Sequence, residues 1–238
     1  MCRLAPTSER RSRVRGRRLI TLPLLLAMMV VGTTGAGAFN PTNAANYADS
    51  HWKECGPSPY NGVPPSPYKC ISNDCTNYVS RALHAGGYSF VLNGPADSWY
   101  WYSSQSNSMS WTYADVLYGF LIYYDKDDNG RGGGTVVATQ VGVSASQTYN
   151  SLSKGDLIFF DWENNGSIDH VRIETGWGTP SKTGYQSAYN NSYWATGDWA
   201  DQHTEPRYHD MWNGYYQMTA TQRANAKLYL VHIDPLNI

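Results

Sequence analysis

The sequence has few cysteines, few charged side chains and no long apolar run. Four of its 238 residues are cysteine and 16% are charged. The longest apolar stretch, residues 19–31, is shorter than the roughly 20 residues that span a bilayer. No C-x2-C or H-x3-H spacing occurs, which argues against a structural zinc site. The sequence lacks the fixed-period repeat that is typical of a solenoid or a propeller.

The N-terminus has the features of an exported protein. Seven arginines lie within the first 18 residues, and an A-G-A sequence follows the apolar stretch. A basic start, a short apolar run and an A-x-A site are typical of a secretory signal peptide. We therefore predict a signal peptide over residues 1–38 and a single domain over residues 39–238. The protein would be secreted, extracellular or cell-wall-associated, without stable membrane association; Sec and twin-arginine export both stay open.

The predicted mature chain is acidic and rich in polar aromatics. Removing residues 1–38 takes away seven arginines and one glutamate, which leaves 11 basic and 18 acidic side chains. No cluster of Lys and Arg remains for a phosphate backbone, so we expect no nucleic-acid partner. The sequence holds 19 Tyr and 9 Trp but 5 Phe, and aromatic side chains with a polar tip suit sugar and peptide surfaces. We expect a monomer.

Helical and strand patterns occupy different halves of the chain. Apolar spacing predicts helices over residues 43–54, from a cap at Asn73 or Asp74 to Gly86-Gly87, and over residues 113–124. Short apolar or alternating runs predict strands over residues 157–160, 170–175, 185–189 and 227–233. Helices that come first and antiparallel strands that follow are typical of an α+β fold.

Cys75 has the position expected of a reactive thiol. It follows Asn73 and Asp74, either of which can cap the predicted helix. Unsatisfied backbone N–H groups and the helix dipole favour an anion there and lower a thiol pKa. Cys55 and Cys70 bracket a loop rich in Pro and Gly; a disulfide between them would contribute roughly 3 kcal/mol and leave Cys75 free. A Cys55–Cys75 or Cys70–Cys75 bond stays an alternative.

A cysteine nucleophile needs a base, and His170 is the best placed of the six histidines. It stands at the head of a predicted strand, after the turn-rich loop in GDLIFFDWENNGSIDHVRIETG. A side chain held by a sheet and exposed at a strand end is suited to proton transfer. Arg172 and Glu174 share its strand face by alternation, and they either pair with each other or face the cleft.

Four segments of the chain resemble one protein family. NDCTNYVSRALHAGG, SWTYADVLYGFL, KGDLIFFDWENNGSIDHVRIETG and DQHTEPRYHDMW occur in that order, and the resemblance extends over most of residues 43–215. They resemble the putative amidase domain family of secreted bacterial proteins, which is related to the CHAP and NlpC-type cell-wall amidases. The resemblance implies a papain-like fold, with N-terminal helices packed on an antiparallel sheet. It also implies a cysteine amidase or peptidase that acts on a peptide or peptidoglycan substrate.

By this resemblance, Cys75 is the nucleophile and His170 the general base. His203 matches the polar third residue that orients the base, and Asn190 is the alternative. The oxyanion would bind the backbone N–H of Cys75 and a second donor, with Tyr68 or Tyr60 as the candidate. Two other functions stay open. One is an acyl transferase that uses the same pair, and the other is a catalytically silent domain that binds cell wall or glycan through its aromatics.

One acidic loop resembles a calcium site. Asp161, Glu163, Asn165 and Asp169 alternate around a central glycine, as oxygen ligands do in a calcium loop. The loop lacks the acidic twelfth position of an EF-hand. The alternative is a turn that caps itself through side-chain hydrogen bonds. We expect that no cofactor is required, and that bound calcium would stiffen the approach to the candidate base.

Overall fold

The computed structural model describes residues 38–92, 98–123, 133–144, 152–178 and 197–234. Within these ranges the α-helices are α1 Pro41–His51, α2 Cys75–Ala85, α3 Met109–Thr112, α4 Ala114–Tyr123 and α5 Ala220–Asn225. The strands are β1 Trp101–Ser103, β2 Ser106–Asn107, β3 Gly134–Val141, β4 Leu157–Asp161, β5 His170–Gly178, β6 Gly197–Gln202, β7 Arg207–Met211 and β8 Lys227–Ile233. None of the helices in these ranges is long and apolar enough to cross a membrane.

The main sheet of the described ranges has six strands in the order β3-β8-β4-β5-β6-β7, and every neighbouring pair is antiparallel. The α+β class is therefore confirmed, together with the predicted strands that begin at residues 157, 170 and 227. The sequence patterns did not predict β3, β6 or β7. Most of the predicted signal peptide and the predicted strand over residues 185–189 lie outside the described ranges.

The first helix begins earlier than its apolar spacing predicts. The side chain of Asn40 caps it by accepting a hydrogen bond from the backbone N–H of Asn43 at 3.1 Å. Pro41 occupies the first turn, where its missing N–H costs nothing and its fixed φ suits the helix. Cap chemistry therefore sets this boundary at Pro41.

Helix α2 packs its apolar face on the centre of the sheet. Tyr78, Val79, Ala82 and Leu83 are fully buried and belong to the same core cluster as Val171 of β5. Burying a large aliphatic or aromatic side chain contributes about 1.5–3 kcal/mol, so this face fixes the helix firmly. The start of α2 is thereby held against the start of β5.

A disulfide holds the loop before α2. Cys55 and Cys70, 15 residues apart in the sequence, are bonded, and Cys75 is free and buried. Of the three possible pairings among Cys55, Cys70 and Cys75, the structure contains Cys55–Cys70. The thiol at the start of α2 is therefore free.

Candidate active site

Cys75 and His170 line the same cavity, which has a volume of about 730 Å³. Cys75 is the first residue of α2 and His170 is the first residue of β5. Because α2 packs across β5, the starts of the two elements meet at one end of the sheet. The structure therefore brings together the two residues that the sequence singles out for nucleophile and base.

The thiol of Cys75 is almost completely buried. Only 4% of the residue is exposed, and Sγ lies 3.7 Å from the hydroxyl of Thr76. Burial raises the pKa of the thiol, and this effect outweighs hydrogen bonds from Thr76 and from the backbone of Val171. The expectation of a lowered thiol pKa is therefore wrong for this state of the site, because desolvation outweighs the helix N-terminus. The hydrogen bond from Val171 also places the sulfur beside the residue that follows His170.

The imidazole of His170 is oriented by Gln202, the last residue of β6. Nε2 of His170 donates to Oε1 of Gln202 at 2.8 Å. The amide of Gln202 is itself fixed, because its NH2 group donates to the carbonyl oxygen of Glu205 at 2.8 Å. An amide oxygen only accepts, so Nε2 carries the proton and Nδ1 is the basic nitrogen.

Arg172 extends the buried hydrogen-bond network of His170 and Gln202 to Asp210. Its Nε donates to the same oxygen of Gln202 at 2.7 Å, and its guanidinium also donates to Asp210 at 3.1 Å. Burial, reinforced by the charge of Arg172, lowers the pKa of His170 to about 3. The raised pKa of the thiol and the lowered pKa of the imidazole both favour the neutral form of each group near pH 7.

The structure places His203 away from His170, contrary to its expected orienting role. Its Nδ1 lies 2.8 Å from a carboxylate oxygen of Asp74, and its Nε2 lies 2.9 Å from the carbonyl oxygen of His51. Successive residues of an extended chain point to opposite sides, so Gln202 faces the base while His203 faces the start of α2. The alternative orienter, Asn190, lies outside the described ranges.

Asp74, immediately before the thiol, is the centre of a second buried network. Its Oδ1 accepts from the backbone N–H of Ile71 and from the amide of Asn77, at 3.1 and 2.7 Å. Its Oδ2 accepts from Arg81 at 3.3 Å, and Arg81 also donates to Glu54 at 2.6 Å. These contacts hold the first turn of α2, and hence the position of Cys75, from several parts of the chain.

Tyr68, a candidate oxyanion donor, and three tryptophans have surroundings other than the cavity. Tyr68 stacks on Trp111, with ring centroids 5.9 Å apart and an interplanar angle of 15°, and it is not among the described residues that line the cavity. Trp99, Trp101 and Trp111 are buried in the core, so they pack rather than present an aromatic surface.

The acidic loop between β4 and β5 caps its own turns. Both carboxylate oxygens of Asp161 accept backbone N–H groups, from Asn165 at 2.9 Å and from Gly166 at 2.7 Å. Asp169 accepts the N–H of Trp162 at 2.9 Å. These bonds match the self-capped turn that was the alternative to calcium, with Glu163 exposed beside it.

Trp162, which the sequence did not single out, extends the cavity into a groove. It lines the large cavity and two smaller ones of about 240 and 300 Å³. Its ring lies parallel to that of His170, with centroids 5.9 Å apart. The 240 Å³ cavity also shares His170 and contains Gln202. His170 and Trp162 therefore line both the large cavity and the 240 Å³ cavity, which we together call the groove.

The fold and the cavity define an α+β protein with a free thiol and an oriented imidazole in one cleft. A family model described as "Putative amidase domain" matches residues 38–230, and the chain belongs to this family. The description indicates hydrolysis of an amide bond. Over 83 residues the chain is 31% identical to the uncharacterized protein YhbB of Bacillus subtilis strain 168; the match covers 35% of this chain and 24% of that protein. No solved structure matches the chain.

Proposed function

We propose that the protein is a secreted cysteine amidase or peptidase with a papain-like arrangement, which hydrolyses an amide bond in a peptide or in peptidoglycan. The carrying observation is that Cys75 and His170 line one cavity while Gln202 holds the imidazole with Nδ1 basic. The Cys55–Cys70 disulfide supports export, because such bonds persist in oxidising compartments.

The reaction begins with a neutral thiol and a neutral imidazole. As Sγ of Cys75 attacks the amide carbon, Nδ1 of His170 takes the thiol proton and a C–S bond forms. The oxyanion accepts the backbone N–H of Cys75, which as the first helical residue has no intrahelical partner. His170 then protonates the amide nitrogen as the C–N bond breaks and the amine leaves. Water, deprotonated by His170, releases the acid and restores the thiol.

The shape and charge of the groove favour an extended substrate without acidic groups beside the thiol. The described lining of the large cavity includes the carboxylates of Asp115 and Asp169 and no Lys or Arg. Beyond His170, the two smaller cavities present amide and hydroxyl groups, from Gln202, Gln222 and Thr219 among others. Such groups form hydrogen bonds with peptide or sugar backbones on the far side of the scissile bond.

The test is to digest purified cell-wall sacculi with the wild-type protein and to identify newly exposed amines by mass spectrometry. Cys75→Ala and His170→Ala should each release no amine above the background. His232→Ala is the matched control, because its imidazole pairs with Asp156 at 2.8 Å outside the groove. Normal release by the Cys75→Ala protein would refute cysteine catalysis.

Two further outcomes separate the alternatives. If the acyl group transfers to an added amine rather than to water, the protein is an acyl transferase. If wild type releases no amine from sacculi or peptides and its thiol does not react with iodoacetamide, it is not an enzyme of this class. The burial of Trp99, Trp101 and Trp111 weighs against the alternative of an aromatic binding surface.

A further inference from the structure

A second cluster of ligand-type side chains lies where α1 meets β6 and β7. It consists of Asp49 of α1, Asp201 of β6 and His209 of β7, and each side chain offers one ligand atom within 4.8 Å of the other two. None of the three lines the candidate active-site cavity. The cluster joins segments of the chain that are far apart in sequence.

Asp201 has a buried oxygen that no donor satisfies. The residue is fully buried. Its Oδ1 accepts the backbone N–H of His209 at 2.6 Å and the hydroxyl of Thr175 at 3.4 Å. Its Oδ2 is buried and has no hydrogen-bond donor in the described structure. A buried carboxylate oxygen without a hydrogen-bond donor destabilises the folded state unless a proton or a cation lies beside it.

The neighbour of Asp201 is another carboxyl group rather than a cation. A carboxylate oxygen of Asp49 lies within 4.8 Å of one of Asp201. Two carboxyl groups in contact are stable when they share a proton or when they bind a cation. The described contacts of this pair therefore leave a place for positive charge.

His209 supplies a nitrogen ligand in a fixed orientation. Its ring is stacked on Trp199 at 4.4 Å and on Tyr208 at 3.7 Å between ring centroids. Its Nε2 lies 2.9 Å from Oδ1 of Asp49. A set of two carboxylates and one imidazole suits Zn²⁺ and other first-row transition metals, whereas Ca²⁺ and Mg²⁺ prefer oxygen alone.

We propose that Asp49, Asp201 and His209 bind a divalent transition-metal ion, with Zn²⁺ as its probe. The ion ties the first helix to the two strands at the sheet edge. The site is structural and separate from amide hydrolysis. An open coordination position is taken by water.

The experiment uses the chelator-treated chain carrying Cys75→Ala, so that the candidate catalytic thiol contributes no affinity. Calorimetric titration with Zn²⁺ should show one ion bound per chain. At a free Zn²⁺ concentration 100-fold above Kd, the ratio of folded to unfolded protein should rise about 100-fold. Thermal unfolding should show this as a higher midpoint.

Asp201→Asn keeps the side-chain shape and removes the ligand charge. We expect at least a tenfold loss of Zn²⁺ affinity, while the midpoint without metal stays the same or rises because a buried carboxylate is gone. His209→Ala should lose affinity in the same way. His232→Ala, which removes a half-exposed imidazole paired with Asp156, should bind Zn²⁺ as before. The proposal would be overturned if Zn²⁺ bound no more tightly than a Kd of about 100 μM. Unchanged binding by Asp201→Asn would overturn it as well.

Discussion

Replacing Gln202 by Glu tests whether its amide sets the protonation of His170. The variant puts a carboxylate where Oε1 now accepts from His170 at 2.8 Å and from Arg172 at 2.7 Å. The shape is kept, but the new negative charge favours the imidazolium form. The pKa of His170, now about 3 because of burial and Arg172, should therefore rise.

The size of the rise follows from Coulomb's law. Two unit charges about 4 Å apart interact by about 4 kcal/mol at an effective dielectric constant of about 20, which corresponds to about 3 pH units. Arg172 shares the new charge, so we expect a rise of about 1–3 pH units. The pKa of His170 would then lie between about 4 and 6.

The assay is the pH dependence of kcat/KM for amide hydrolysis between pH 4 and 8. In the wild type, protonation of His170 should cause no loss of activity down to about pH 5, because its pKa is about 3. In Gln202→Glu, activity should fall on the acid side with an apparent pKa in the raised range. The matched control is Gln222→Glu, which adds a charge in the neighbouring cavity, where the side chain bonds Thr219 instead. Identical acid limbs for the two variants would refute the orienting role of Gln202.

Three other predictions concern stability. Replacing Cys55 and Cys70 by Ser opens the 15-residue loop and should lower the free energy of unfolding by about 3 kcal/mol; an unchanged urea midpoint would contradict this. His170 is neutral when folded and has a depressed pKa of about 3, so its contribution is complete above pH 6.5 and is lost towards about pH 3, at up to about 1.4 kcal/mol per pH unit. His170→Gln should lack that part of the acid sensitivity in urea titrations at pH 6.5, 5.5 and 4.5, and equal slopes would count against it. Arg172→Lys loses directed buried hydrogen bonds and should cost about 2–4 kcal/mol, whereas Arg223→Lys at a half-buried site should cost less than half as much; equal losses in urea would contradict the argument.

Much of the fold and half of the candidate site follow from local sequence patterns. The capping residue types before Cys75 and the apolar positions of α2 predict both the helix and the thiol at its start, although the side chain of Asp74, the residue at the N-cap, makes no cap hydrogen bond. The apolar run of β4 and the strand headed by His170 are equally local signals. Cysteine spacing and loop composition favoured the disulfide that the structure contains.

The remaining parts depend on strand pairing. β6 and β7 bury acidic and other polar residues, such as Asp198, Asp201 and Asp210, so their sequences lack the apolar alternation that identifies a strand. Gln202 contacts His170 because β6 pairs with β5, with Ile173 opposite Asp201. A single glutamine in a sequence does not indicate a catalytic site. The contact of Gln202 with His170 is visible only once the pairing of β5 with β6 is known. The resemblance assigns the orienting role to His203, whose ring contacts Asp74 and the carbonyl oxygen of His51 in the structure.

The adjacency of Gln202 and His203 has a mechanical consequence. One bonds the imidazole and the other bonds the carboxylate that precedes the thiol, so a single dipeptide supports both reactive groups from opposite sides. A displacement of this strand end would therefore disturb the imidazole and the start of α2 together. Insertion or deletion of one residue there would remove the contacts of Gln202 with His170 and of His203 with Asp74. The imidazole and the thiol would then be misaligned, even in a protein that folds normally.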